Sequence, residues 1–378
     1  MAALTEEQSL IRDQAKSWAT SESPVTKFRK MRDEKIANAF WPEQWQSMIE
    51  MGWTGILVPE EHGGSDLGYL TFGLILEELG RQLTASPLLA SGLIGASALR
   101  LGGSADQQGE YLPKIVDGSA VFALAVDEGP RHDPEKISLE AAKDGNGFKL
   151  SGRKGFVLEG GAATHLIVAA RTGGSAGEQA GLTLFVVPAD AAGVSRTQLV
   201  TADSRGYAHV DFDAVAVGGD AVLGTVDDGF GLLEGILDRG RAGLGAEMLG
   251  TASAAFDMTV EYLKTRKQFG KPIGAFQALG HRAAEMFTST EHARSCAEAA
   301  LAAIDAGADD IPAKVSLSKA MVGEHLHRVS RELIQMHGGI GMTDEYDAGF
   351  YLKRAQALET IFGNQSYHRE RFARLMGY

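Results

Sequence analysis

Apolar residues recur at three- and four-residue spacing through two long stretches, Met248 to Lys264 and Phe276 to Ile304, with Ala, Met and Glu between them. That period lines one face of a helix, so two long helices are predicted. Between them lies Arg266-Lys267-Gln268-Phe269-Gly270-Lys271-Pro272-Ile273-Gly274-Ala275-Phe276-Gln277, where Pro272 and Gly274 break the run into a basic corner. Helical spacing also dominates residues 1 to about 118. Thr5 is placed to N-cap a helix whose apolar face is Leu10, Ile11, Ala15 and Trp18. Trp45 to Met51 is a second helix, closed by Gly52. A turn-rich connector follows from Gly55 to Gly64, then helices over Phe72 to Leu83 and Leu88 to Leu101.

The texture changes near Gly118. From Phe122 to Leu223 short apolar runs are broken by Gly, Asp and Pro. Phe148 to Lys154 and Val210 to Val217 alternate, while His165 to Ala170 and Leu182 to Pro188 are continuous apolar strands. Strands at this spacing without helices between them predict a small antiparallel β-domain. After Asp227 helical spacing returns, with Asp227 or Asp228 as cap, Pro312 in the first turn of a helix toward Gln335, and a last helix over Leu352 to Leu375. The helix after Asp227 carries Gly229, Gly231, Gly235, Gly240, Gly243, Gly245 and Gly250. Each glycine weakens a helix by roughly 0.5–1 kcal/mol relative to Ala, so close approach of another backbone or a ligand is expected there. The fold class is mainly α with an inserted antiparallel β-domain. The boundaries are 1–118 for an N-terminal helical domain, 119–226 for the β-domain and 227–378 for a C-terminal helical bundle.

Charge and composition narrow the function. The formal charge is −13, from 36 basic and 49 acidic residues, which argues against nucleic acid and against an anionic membrane surface. No apolar run approaches the roughly 20 residues of a membrane span. Met1 to Asp13 lacks the basic start and apolar stretch of a signal peptide, so a cytoplasmic location is expected. The single cysteine, Cys296, excludes an internal disulfide and a cysteine metal cluster, and reads as a small core residue. Gly173-Gly174-Ser175-Ala176-Gly177 spells a nucleophile elbow, but a strand rather than a helix follows it. No glycine-rich phosphate motif follows a strand. His325 and His327 lie on different helix faces, and with His337 they read as packed or solvated rather than as metal ligands.

Two segments carry a specific signal. Arg266 offers a fork of donors suited to a phosphate and Phe269 a flat surface for a ring, although a solvated connector is the plain reading. In Gln335-Met336-His337-Gly338-Gly339-Ile340-Gly341-Met342 a helix ends at bare backbone, which alone is a glycine C-cap. Together the two segments, with Pro59-Glu60-Glu61-His62-Gly63-Gly64, resemble the acyl-CoA dehydrogenases, over nearly the whole chain. The resemblance implies that family's three-domain architecture, an acyl-CoA substrate, FAD, an oligomeric assembly and electron-transfer flavoprotein as acceptor. It implies further that Arg266, Gln268, Phe269, Gln277, Gln335, Gly338 and Gly339 meet the adenosine and pyrophosphate of an FAD held mainly by a neighbouring subunit. Asp238 and Arg241 match positions near the thioester and pantetheine.

Dehydrogenation needs a base for the α proton and a flavin for the β hydride. By resemblance the base position falls on Phe362, and the alternative position used by a minority of members falls on Gly240. Neither side chain accepts a proton, so the catalytic residue is unidentified; Glu359, one turn before Phe362, is a candidate substitute only in the self-sufficient reading. The ring pocket departs too. Asp127 stands where a Thr hydroxyl faces the flavin's pyrimidine edge, and Phe156-Val157-Leu158 replaces a Trp-Ile-Thr strand whose Thr donates to N5. This asymmetry resembles the small subunits of heteromeric acyl-CoA dehydrogenases, such as the pimeloyl-CoA type and those acting on steroid side chains, which work with a base-bearing homologue. The rival readings are a self-sufficient dehydrogenase with an unusual base, and a flavin oxygenase or binding protein on the same scaffold.

Overall fold

A computed structural model describes residues 4–378. In chain order the helices are α1 (Glu6–Glu22), α2 (Val25–Glu34), α3 (Pro42–Glu50), α4 (Gly68–Arg81), α5 (Ala96–Gly102, continuing a π-helical stretch Leu88–Gly95), α6 (Ala105–Val116), α7 (Phe230–Thr265), α8 (Gln277–Asp305), α9 (Ile311–His337), α10 (Ala348–Thr360) and α11 (Gln365–Leu375). Between α6 and α7 lie the strands β1 (Phe122–Ala125), β2 (Glu140–Asp144), β3 (Gly147–Leu158), β4 (His165–Arg171), β5 (Leu182–Pro188), β6 (Val194–Gln198), β7 (Tyr207–Val217) and β8 (Val222–Leu223). A short hairpin of β9 (Lys267–Gln268) and β10 (Lys271–Pro272) joins α7 to α8. The chain folds into two compact units, one made of the chain up to Lys30 with Tyr69–Thr84 and Arg241–Tyr378, the other of Met31–Gly68 and Ala85–Gly240. No helix among the described residues is long and apolar enough to cross a membrane.

The helical unit is assembled on capped ends and close crossings. Thr5 forms a capping box with Gln8 at the start of α1. The Asp305 carboxylate, at the end of α8, accepts from the backbone N–H of Tyr69 (2.6 Å) and Leu70 (2.9 Å), satisfying the first turn of α4. The glycines of α7 do allow close approach. A Cβ at Gly250 would lie 1.8 Å from the Glu77 carbonyl oxygen, and one at Gly80 would lie 2.3 Å from that of Glu247, so α4 and α7 touch backbone to backbone. The buried pair Arg354–Glu247 at 2.7 Å ties α10 to the same helix.

The β-unit is one sheet in the order β6-β7-β3-β2-β4-β5-β8, with β1 beside β4. Most pairings are antiparallel, as the alternation predicted, but β1 and β2 both run parallel to β4. Its core is an apolar cluster that includes Leu150, Val168, Phe185, Val187 and Phe212, with Phe148 edge-on to Phe185 at 5.2 Å.

Three expectations are corrected. The last helix is two, because Phe362 (φ 55°) and Gly363 (φ 103°) turn left-handed between α10 and α11. Asp227 bonds the Thr172 hydroxyl at 2.6 Å, and it is the Gly229 carbonyl that accepts from Leu233 at the start of α7. Cys296 is half-buried rather than a core residue, with burial pushing its thiol up.

Candidate functional site

The two specific segments are linked through Tyr262, in the last turn of α7. Its carbonyl accepts from the Arg266 N–H at 2.9 Å. The Tyr262 ring stacks on His337 with centroids 4.1 Å apart, and the His337 ring also lies 4.8 Å from Tyr346. His337 Nδ1 donates to the Leu333 carbonyl at 2.7 Å, so the residue before Gly338 is fixed from both sides. Burial holds its imidazole below the ordinary range. The hairpin and the glycine corner are thereby carried on one rigid base.

Everything that projects from that base is open. Arg266, Gln268, Gln277, Gln335, Gly338 and Gly339 are exposed, and Phe269 is 90 % exposed with a left-handed backbone (φ 53°). A Cβ added at Gly338 or Gly339 would meet nothing within 4 Å, and Gly338 has φ 61°, so bare backbone faces outward there. Phe269 stands edge-on to Phe276 at 6.0 Å, and Lys271 Nζ lies 4.3 Å from the centre of that ring. Behind the hairpin, Val260, Leu263, Pro272 and Ala283 line an apolar hollow of about 400 Å³. Chemically this is an anion-and-ring receptor presented outward: a guanidinium fork, an aromatic face and unshielded amides. The donor set fits the pyrophosphate and adenosine of FAD.

Phe362, which the resemblance sets at the base position, lies on a loop that is built differently. The Phe362 carbonyl accepts from Arg241 Nε at 3.2 Å and from His368 Nε2 at 3.0 Å. Fully buried Lys319, from α9, donates to the carbonyls of Leu358 (3.0 Å), Glu359 (3.4 Å) and Gly363 (3.1 Å). Burial, with Lys319 and Arg241 beside it, holds the His368 imidazole far below its ordinary range and so neutral, and the contact to the Phe362 carbonyl puts the proton on Nε2. Arg241 is fully buried and also reaches the Tyr367 hydroxyl at 3.3 Å. The Glu359 carboxylate is held on one oxygen: Oε2 accepts from His327 Nδ1 at 2.9 Å and from Gln365 at 3.1 Å, with Arg331 3.7 Å from Oε1, which is buried without a hydrogen bond. Asp238 is buried.

Lys319 makes the clamp pH-sensitive. Burial pushes it down to about 7, with the Arg241 guanidinium adding to the shift. Its folded value is therefore below the unfolded one. The unfolded chain binds more protons between about pH 7 and the ordinary lysine value, so stability rises with pH across that window. In paired denaturant titrations, native protein should gain stability over Lys319→Met from pH 7 to pH 9. A constant difference would show that Lys319 is not shifted.

In the β-unit, Asp127 and Glu128, which the resemblance sets at or beside the ring pocket, are held by polar partners. Both Asp127 carboxylate oxygens accept from His132 Nδ1, at 2.9 and 3.1 Å. The next residue, Glu128, accepts from Ser138, from Leu139 N–H and from Lys154 Nζ at 2.7 Å. Lys154 is fully buried, also donates to the Val126 carbonyl, and is pushed down to about 8 by burial. Phe156 is left-handed (φ 49°) and 57 % exposed, edge-on to His209 at 5.3 Å, while Leu158 is buried. His209 Nδ1 is buried without a hydrogen-bond partner. No hydroxyl stands at Leu158, and the Asp127 carboxylate turns onto His132, so this face does not fit a flavin ring as the Arg266 face fits a dinucleotide.

Sequence reading missed His132, Lys154, Lys319 and Tyr262. His132 lay only five residues from Asp127 in a loop. Lys319 and Tyr262 reach partners far away along the chain and left no local signal.

A helical domain, an inserted mixed sheet and a helical bundle define the fold of a flavin-dependent oxidoreductase class. The chain belongs to the acyl-CoA dehydrogenase family: its residues 5–119, 123–215 and 227–377 match that family's N-terminal, middle and C-terminal domains. The family's members are FAD-dependent flavoproteins. The chain is 32% identical over 342 residues to the mitochondrial 2-methylacyl-CoA dehydrogenase of Solanum tuberosum, covering 86% of this chain and 80% of that one. Its structure resembles butyryl-CoA dehydrogenase from Megasphaera elsdenii at TM-score 0.92 and 25% identity, covering 100% of this chain and 99% of that one. It also resembles a chain of the Tcur3481-Tcur3483 steroid ACAD at TM-score 0.88 and 30% identity, covering 98% of each.

Proposed function

We propose that this chain is the subunit without a catalytic base in a heteromeric, FAD-dependent acyl-CoA dehydrogenase, and that it completes the FAD site of a base-bearing homologue. The observation that carries this is the contrast between the chain's two halves of a flavin site. Arg266, Gln268, Phe269, Gln277, Gln335, Gly338 and Gly339 stand exposed on a preformed support, whereas Phe362 occupies the base position on a loop held by Arg241, Lys319 and His368. The two-component name of the steroid ACAD supports the heteromeric reading.

In this account Arg266 pairs with the pyrophosphate, Phe269 stacks on the adenosine, and the Gly338 and Gly339 amides approach the phosphates without a side chain in the way. FAD supplies a hydride acceptor for the β carbon of the acyl thioester. The α proton goes to a carboxylate on the partner chain. Asp238 and Arg241 hold the family's substrate-side positions, but Arg241 serves the Phe362 loop, which favours a structural role. The same reading takes 1–118, 119–226 and 227–378 as the functional domains, electron-transfer flavoprotein as the acceptor and the cytoplasm as the location.

The competing self-sufficient reading assigns the base to Glu359. The direct test is Phe362→Glu in the lone chain, assayed with several acyl-CoA thioesters and an artificial electron acceptor. No turnover is expected, because the Asp127 and Leu158 face still disfavours the flavin ring. Turnover would show an intact ring site and refute the partner-subunit reading. Oxygen consumption with externally reduced flavin would instead indicate an oxygenase.

A further inference from the structure

Tyr262 bonds both segments assigned to the dinucleotide, through two different groups. Its carbonyl accepts from the Arg266 N–H at 2.9 Å, and the Arg266 carbonyl accepts in turn from the Ile273 N–H at 2.8 Å, which closes the hairpin. Its side chain turns the other way, onto the end of α9. The ring stacks on His337 with 4.1 Å between centroids and 28° between planes. The hydroxyl donates to the His337 carbonyl at 3.4 Å. His337 is buried, so water does not replace the stack.

The place of that hydroxyl bond matters for charge. The last four carbonyls of an α-helix have no partner within it and give its C-terminus roughly half a negative charge. Helix α9 ends at His337, immediately before Gly338 and Gly339. Bare carbonyls there would oppose a phosphate. The Gly338 N–H folds back onto the carbonyls of Ile334 and Gln335, and Tyr262 supplies the donor for that of His337. The His337 ring is oriented as well. Its Nδ1–H is committed to the Leu333 carbonyl at 2.7 Å, so Nε2 accepts from the Tyr346 hydroxyl at 3.1 Å. The face that Tyr262 stacks on is therefore held from two further directions.

We propose that Tyr262 is a positioning residue for the FAD-completing corner. Its ring sets the Arg266 hairpin and the glycines at one spacing, and its hydroxyl covers a helix-end carbonyl that would otherwise oppose the pyrophosphate. The inference rests on the FAD-completing reading above and adds to it a residue that acts through others, without touching FAD.

The test titrates FAD and riboflavin into the mixed assembly with a base-bearing homologue, following flavin fluorescence. Tyr262→Phe keeps the ring and removes the donor, and should weaken FAD by about two- to tenfold. Tyr262→Leu removes the stack too and should weaken it by about tenfold or more. Riboflavin has the flavin ring but neither phosphates nor adenosine, so both variants should bind it as the native assembly does. In the lone chain, hydrogen exchange over residues 337–342 should quicken in Tyr262→Leu, although they lie far from the substitution along the sequence. Equal weakening of FAD and riboflavin would mark a general loss of fold and overturn the proposal. If Arg266→Ala weakens FAD and neither Tyr262 variant does, the proposal falls and the FAD-completing reading stands. If none of the three weakens FAD, both fall.

Discussion

Co-expression with a base-bearing homologue should turn an inactive chain into half of an active assembly. Alone, the chain has Phe362 where a carboxylate would take the α proton, and general-base catalysis is worth roughly 10²- to 10⁴-fold. On the partner-subunit reading, Leu158 and the Asp127–His132 pair would add a second deficit at the ring-facing half of its own flavin site. In a mixed two-fold assembly each chain presents its Arg266 face to its neighbour's ring pocket, so the contributions are reciprocal in geometry but unequal in quality. Sites with the partner's ring pocket and this chain's Arg266 and Gly338-Gly339 would be complete. Sites with the reverse arrangement would not, leaving about half of the flavin positions working. Turnover of an acyl-CoA by the co-purified pair, and none by this chain, is the expected result. Equal activity of the partner alone would remove the need for this chain.

Arg266→Ala should strip FAD from that mixed assembly. The side chain is exposed on a hairpin whose base is fixed by the Tyr262–His337 stack, so its removal should not disturb the fold. A charge-assisted hydrogen bond contributes roughly 1.5–3 kcal/mol, which converts to about ten- to a hundredfold weaker retention. Arg266→Lys keeps the charge but loses the planar fork and should fall between the two. Phe269→Ala should weaken retention further through lost stacking. Flavin absorbance relative to protein after gel filtration reads all three. An unchanged ratio in Arg266→Ala would contradict the assignment.

Long-period features were legible in the sequence. The helices α8 and α9 follow directly from apolar spacing, and Pro272 and Gly274 marked the corner between α7 and α8. The apolar strands β4 and β5 were equally plain, because strands covered on both faces read as continuous runs. Short or polar elements were not. The sequence of β2, Glu-Ala-Ala-Lys-Asp, has no strand signature, and α2 is dominated by charged residues. Its pairing with β4 makes the sheet mixed, which no local pattern could indicate. At the site, residue identities gave the expectation that Phe362 and Leu158 depart from the family. They could not show that the Phe362 backbone is left-handed, that three donors from different elements hold its loop, or that Asp127 turns onto His132. Those are consequences of tertiary packing, which reverses local preference where buried donors and carbonyls must be matched.

The central claim is that this chain supplies the outward half of a flavin site and lacks a competent inner half. The most direct measurement is the flavin-to-protein ratio of the chain purified alone, incubated with excess FAD and passed through gel filtration. The account predicts retention well below one FAD per chain, with no acyl-CoA turnover. One FAD per chain in a homo-oligomer that turns over an acyl-CoA would contradict it.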